Sequence, residues 1–322
     1  WGLKFIRSAT NNNVNAAAVP LRDIAILSKI EYESWLNLPD FDFSYEHKGL
    51  LEIFQTDAGA EHARHTVEKA HQLGLTDTLL LSKEELQALE PQTEINGKGA
   101  ILFKCDAHCY PNKLMSQLIN YLLRTGVQLV SGAEVTGFEK ENDRVTTIIT
   151  RGLEYKQDEV LIATGSWGRH TAALLDIKIP LMPGRGYSIT LEDSPYKVNY
   201  PAVLLEGRAA ITPMNGNKIR FGGTMEITSH KTPPRMNRVQ GILDAVKRFY
   251  PKFDVPFPPQ EKIWYGYRPC SADGLPYLGR LKKLRNVSIA TGHSMMGLSL
   301  GAGSGKLIEE IISNKQTSIS VD

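Results

Sequence analysis

Cysteine is scarce in this chain, with three residues (Cys105, Cys109 and Cys270) among 322. So few thiols exclude a disulfide-stapled scaffold and suit a reducing compartment. A surplus of one charge is also missing. The formal net charge is +2, and no run of Lys and Arg interleaved with aromatics offers nucleic acid a footprint. No apolar stretch approaches the ~20 residues that a bilayer-spanning helix needs. Internal repeats and low-complexity segments are absent too. What remains, 42% hydrophobic and 22% charged residues, is the composition of an ordinary globular protein. At this length two domains are the expectation. The first residue is Trp, and W-G-L-K-F-I-R reads as the middle of an amphipathic helix. The sequence is therefore expected to start inside a larger protein.

Periodicity predicts helices at Leu3–Ser8 and Ala16–Leu36, parted by a turn at Asn11–Asn13, with Ile24, Leu27 and Ile30 along one face. A hairpin around Gly49 is expected within Phe41–Gln55, then a helix over Thr56–Leu73. Ser82 to Glu85 is a capping box, and Pro91 stops the helix it starts. Another helix is expected over Pro111–Thr125, closed by Gly126 and followed by a strand at Val127–Val130. Short strands are predicted at Glu134–Lys140, Arg144–Thr150, Leu153–Gln157 and into Ala163-Thr164-Gly165. Leu181–Thr224 is β-rich, and Pro234–Phe249 reads as an amphipathic helix.

Two clusters tempt a metal reading. His62 and His65 stand at i, i+3, and Cys105, His108 and Cys109 are close in sequence. Neither has an evident completing ligand, so no metal site is expected.

The stretch Trp264 to Lys306 gathers the most information. W-Y-G-Y-R-P-C-S-A-D-G-L-P-Y-L-G sets Arg268 among Tyr265, Tyr267 and Tyr277, and its prolines and glycines predict a rigid, shaped loop. After it, N-V-S-I-A-T-G-H-S-M-M-G-L-S-L-G-A-G-S-G-K reads as a strand, a Gly-rich turn and a helix from about Leu298. The first N–H groups of a helix have no partners within it, so such a corner binds acceptor groups.

These two motifs together resemble the C-terminal signature of the FAD-dependent amine and D-amino-acid oxidoreductases. Within that family they are most similar to bacterial D-amino-acid dehydrogenases of the small-subunit type. Weaker matches run through nearly the whole chain. One departure stands out, because the family opens with a strand, G-x-G-x-x-G and a helix that hold the FAD pyrophosphate, and this sequence has no such motif.

The resemblance implies an α/β fold, with a Rossmann-like FAD-binding domain incomplete at its N-terminus and a mixed-sheet substrate domain. Residues 1–98 and 171–282 would build the substrate domain, and 99–170 and 283–322 the FAD-binding domain. It implies oxidation of a D-amino acid to an imino acid, then a 2-keto acid and ammonia, by hydride transfer to flavin N5. Arg268 is the expected carboxylate anchor, since a planar guanidinium makes two parallel bonds to a carboxylate. Tyr187 and Tyr267 would border the substrate. FAD would contact Val135 near the adenine, Ala163, Thr164 and Gly165 along the dinucleotide, and Gly292, His293, Gly297, Leu298 and Ser299 around the ring. No residue is assigned acid–base catalysis, because the amine need only be neutral when hydride leaves. Glycine, sarcosine or hydroxyproline oxidation stays open, as does a non-catalytic substrate-binding fragment unable to hold FAD. Quinone, the respiratory chain and oxygen all remain as electron acceptors. A cytoplasmic location is expected, with peripheral attachment to the inner face of the membrane left open.

Overall fold

The computed structural model describes residues 1–321. It opens with α1 (Gly2–Ser8) and α2 (Asn11–Trp35), then β1 (Leu50–Phe54), α3 (Asp57–Gln72), β2 (Thr78–Ser82), α4 (Lys83–Leu89), β3 (Gly99–Phe103) and α5 (Pro111–Arg124). Short strands β4 (Val135–Glu141), β5 (Arg144–Thr150), β6 (Glu154–Lys156) and β7 (Val160–Ile162) precede α6 (Gly168–Ala173). Next come β8 (Leu181–Leu191), β9 (Ala202–Leu204), β10 (Ala209–Met214), β11 (Lys218–Ile227) and α7 (Met236–Phe249). The chain closes with β12 (Trp264–Ser271), β13 (Tyr277–Arg280), β14 (Val287–Thr291) and α8 (Gly297–Ile312).

One mixed sheet of eight strands, in the order β12-β8-β11-β10-β9-β1-β3-β2, dominates the molecule. The amphipathic α7 lays Val239, Ile242 and Val246 on one face, joining Tyr187, Ile189 and Phe221 in the largest core. Two three-stranded sheets, β13-β14-β7 and β4-β5-β6, share a second core built on Val145, Ile162 and Val287. The fold is thus α/β with a large mixed sheet, as expected. In sheet terms, β3, from the 99–170 segment, lies between β1 and β2 in the large sheet, whereas β13, before residue 282, pairs with β14.

Four local expectations change. Asn11–Asn13 is the first turn of α2 and not a break, because the Thr10 side chain accepts a bond from the Asn13 N–H and starts the helix there. Only Leu50–Phe54 of the expected hairpin is a strand, and its partners are the distant β3 and β9. Phe41 and Phe43 instead bury their rings with Leu114 of α5. Val127–Val130 is not a strand, and three of its residues leave large apolar side chains exposed.

Trp264–Ser271 is a regular strand, contrary to the loop expected there. It lies at the sheet edge, where a proline is tolerated. Pro269 stands opposite Pro183 in the register, so the two missing donors coincide at one rung of the ladder.

Candidate active site

Side chains alternate across a strand, so neighbours in sequence face opposite ways. On β12, Tyr265 and Tyr267 take one face, and Trp264, Gly266 and Arg268 take the other. Opposite them on β8, Tyr187 pairs with Tyr265, Arg185 with Tyr267, and the glycines 184 and 186 with Arg268 and Gly266.

The Tyr face is closed. Arg185 is fully buried and donates to Glu226 Oε2 at 3.1 Å and to the carbonyls of Thr232 and Pro233, both at 2.7 Å. Tyr187 donates to the same carboxylate at 3.1 Å and accepts the Arg235 N–H at 2.8 Å. Arg235 Nε lies 3.0 Å from the other oxygen of Glu226. Burial opposes the Arg185 charge, yet Glu226 and Tyr187 hold its pKa above the ordinary value. Burial would likewise raise the Glu226 carboxyl, but Tyr187, Arg185 and Arg235 bring it below the usual carboxylate range.

The other face is open. The Arg268 side chain lies over Gly186, where a Cβ would overlap its guanidinium. Its Nη1 donates to the carbonyl of Thr224 at 3.0 Å. Thr224 sits at a register shift in β11 with φ +56, rare for a β-branched residue, and its buried hydroxyl has no partner. Arg220 of β11 shares this face, donating to Ser188 Oγ at 3.1 Å and lying 5.7 Å over the Trp264 ring. Among the described residues neither arginine forms an ion pair. Burial lowers the pKa of both guanidiniums, and Arg220 further lowers that of Arg268 by repulsion. Both line a cleft of about 850 Å³ that Met295 also borders.

Met295 leads to the second component. β14 runs parallel to β7, with Ile289 beside Ile162, so the turns that follow both strands leave the sheet at the same edge. Crevices outside the carboxyl ends of such strands are habitual ligand sites. Gly292 turns the chain with φ +87 against Tyr277, a conformation L-residues rarely adopt. Thr291 Oγ1 donates to the carbonyl of Gly165 at 2.9 Å, tying the two turns together. His293 lies 2.8 Å from Ser304 Oγ, and burial lowers its pKa. The sixteen-residue α8 has no side-chain cap at its start, while Met295, Met296 and Leu298 are exposed around it. A further hollow of about 470 Å³ lies between Leu298, Ser299, Tyr32, Asp106, Cys109 and, again, Arg220.

A profile of FAD-dependent oxidoreductases matches residues 7–311. The chain belongs to this family. It is 25% identical to a D-amino acid dehydrogenase of Paramagnetospirillum magneticum, over 100% of this chain and 76% of that one. It is 26% identical to a D-amino-acid oxidase of Bradyrhizobium diazoefficiens, over 99% and 76%. Its fold matches glycine oxidase from Geobacillus kaustophilus with a TM-score of 0.82 at 22% identity, covering 93% of this chain and 80% of that one. L-proline dehydrogenase from P. horikoshii gives 0.80 at 21% identity, over 93% and 79%.

Of the residues expected to serve a FAD-dependent oxidoreductase, Gly165 is tied through Thr291 to the turn at Gly292 and His293, and Gly297, Leu298 and Ser299 form the first turn of the helix that follows. Val135 stands apart on β4, paired with Thr150 at the edge of the other small sheet. The resemblance groups Tyr187 and Tyr267 with Arg268 around the substrate. Tyr187 borders the cleft, but its hydroxyl is spent on Glu226 and Arg235. The Tyr267 hydroxyl donates to the carbonyl of His230 at 3.1 Å, on the face away from Arg268. Sequence reasoning missed Arg220, although an arginine between Ile219 and Phe221 in an apolar strand was a visible signal. It had no means of finding Thr224, whose position depends on the register shift.

Proposed function

We propose that this FAD-dependent oxidoreductase oxidises D-amino acids to 2-keto acids and ammonia, with Arg268 anchoring the substrate carboxylate. The observation that carries the reading is Arg268 itself, a half-buried guanidinium with no carboxylate partner, laid along Gly186 and facing a cleft. Tyr187 and Tyr267 are left to hold the sheet. The names of the curated relatives favour D-amino acids over glycine.

The residues around α8 fit a flavin. A ring with an acceptor-rich edge suits the uncapped N–H groups of Gly297, Leu298 and Ser299, and Met295, Met296 and Leu298 give it an apolar rim. The tied turns at Ala163–Gly165 and Gly292 would pack along the dinucleotide, with Val135 further out. Bound there, FAD supplies the acceptor for the hydride leaving the substrate Cα, and water completes the hydrolysis of the resulting imine. The chain's own part is placement and charge. Arg268 orients the carboxylate, and the paired positive charges of Arg268 and Arg220 disfavour an ammonium in the cleft, so the amine is held neutral. The positive end of α8 favours negative charge on the ring it faces. Residues 99–170 and 283–322 would supply most of the FAD-binding domain, with β3 joined to the substrate sheet.

The test is the visible spectrum of the purified holoprotein under anaerobic conditions, before and after D-alanine. The flavin band should bleach. Arg268→Met should then weaken the response by about 30-fold or more, corresponding to a loss of about 2 kcal/mol. Bleaching by glycine or sarcosine but by no D-amino acid would establish the second reading, which the glycine oxidase likeness keeps in view. Equal bleaching in the variant would remove Arg268 from the role.

A further inference from the structure

We infer that the cleft is built for a substrate with two carboxylates, an acidic D-amino acid such as D-aspartate or D-glutamate, with Arg220 receiving the side-chain group. This rests on the proposed function and extends it to a substrate class. A guanidinium carries five N–H donors. Arg185 shows what this fold does with an arginine kept for structure, since it meets a carboxylate and two carbonyls. Arg220 and Arg268 each give one bond to a protein oxygen, Arg268 also reaches Met225 Sδ at 3.9 Å, and the rest of their donors find no acceptor among the described residues. Both are partly desolvated and repel one another, an arrangement that costs free energy in the empty protein.

One carboxylate on Arg268 relieves part of that cost. A second on Arg220 relieves the remainder, and the cleft of about 850 Å³ has room for the longer substrate. Arg220 is also preset for the task. Trp264 supports its flat face and Ser188 holds one Nη, which leaves the other donors toward the space between the sheet and the α8 turn. The second carboxylate takes no part in the bond changes. With a flavin bound, the Cα–H pair would still be taken up by it while the nitrogen lone pair forms the C=N bond, and water would then release ammonia.

The experiment compares acids with their neutral isosteres on the holoenzyme, D-glutamate with D-glutamine and D-aspartate with D-asparagine. A charge-assisted contact predicts a kcat/KM ratio of about 10 or more in favour of each acid. Arg220→Met should bring the acid-to-amide ratio to about one, whatever it does to the separate rates, and Arg220→Lys should keep part of it. Calorimetry provides a readout without turnover: glutarate should bind more tightly than butyrate to the wild type and about equally to Arg220→Met. A ratio near one in the wild type, or one unchanged by Arg220→Met, overturns the inference while leaving D-amino-acid oxidation intact. If no D-amino acid reduces the flavin, the proposed function fails, and the glutarate–butyrate comparison alone decides whether the arginine pair reads two carboxylates.

Discussion

Two arginines one rung apart on paired strands, Arg185 of β8 and Arg268 of β12, have opposite fates because they face opposite sides of one sheet. Arg185 is enclosed with Glu226, Tyr187 and two carbonyls, and its charge is spent inside the fold. Arg268 has a single carbonyl, a glycine beneath it and a cleft in front. Burial alone does not distinguish a functional charge from a structural one. The supply of partners does.

The comparison can be broken most forcefully by giving both arginines the same substitution. Arg185→Met leaves Glu226 buried with Arg235 as its remaining ion-pair partner, and should cost about 3 kcal/mol in urea unfolding. Arg268→Met removes a charge that nothing in the fold neutralises, and should move the same midpoint by less than about 1 kcal/mol. Equal losses would show that Arg268 is as structural as Arg185.

A smaller effect is expected from Gly186→Ala. Its new Cβ would meet the Arg268 guanidinium, which can swing away, so the fold survives while the anchor moves. The KM for the amino acid should rise by about tenfold, equivalent to about 1.4 kcal/mol, with an unchanged near-ultraviolet dichroism spectrum. An unaltered KM would mean that the anchor's place does not depend on the space above residue 186.

The smallest effect concerns pH on the closed side. His230 stacks on Trp167 at 4.4 Å, touches Tyr267, and has its pKa lowered by burial. The folded state therefore releases this proton more readily than the unfolded chain. Stability from this group is level above an unfolded histidine pKa of about 6.5 and declines as pH falls below it, by at most about 1.4 kcal/mol per unit. His230→Gln should flatten the decline in thermal melts between about pH 6.5 and 5.5. A slope identical to the wild type would assign the effect to His108 and His293, which burial also shifts downward.

Much of this was legible in the sequence where the signal is local. The Ser82–Glu85 capping box, the amphipathic face of α7, and the strand–turn–helix after Val287 depend on residues a few positions apart. Arg268 was legible too, through the motif around it. Its surroundings were not, because proline and glycine density suggested a loop where β8 supplies the whole edge of a strand. Treated as a strand, the same residues would have sent Tyr267 and Arg268 to opposite faces by parity alone. Arg220 left a local signal that was not used, whereas Thr224 enters the site through a register shift against β8, which no local pattern records.

The helix pairing of α2 with α8 has a consequence for how the protein is made. Gly303 comes so near α2 that a Cβ would lie 2.8 Å from the Ile24 carbonyl and the Ser28 N–H, while Ile24, Leu300 and Leu307 form a shared core. About 260 residues separate the two helices. At ordinary rates of synthesis α2 leaves the ribosome on the order of tens of seconds before its partner exists. During that interval the Ile24 side of α2 lacks the α8 residues Leu300 and Leu307 that cover it, and a nascent chain stalled before Gly297 should be a ready client for chaperones.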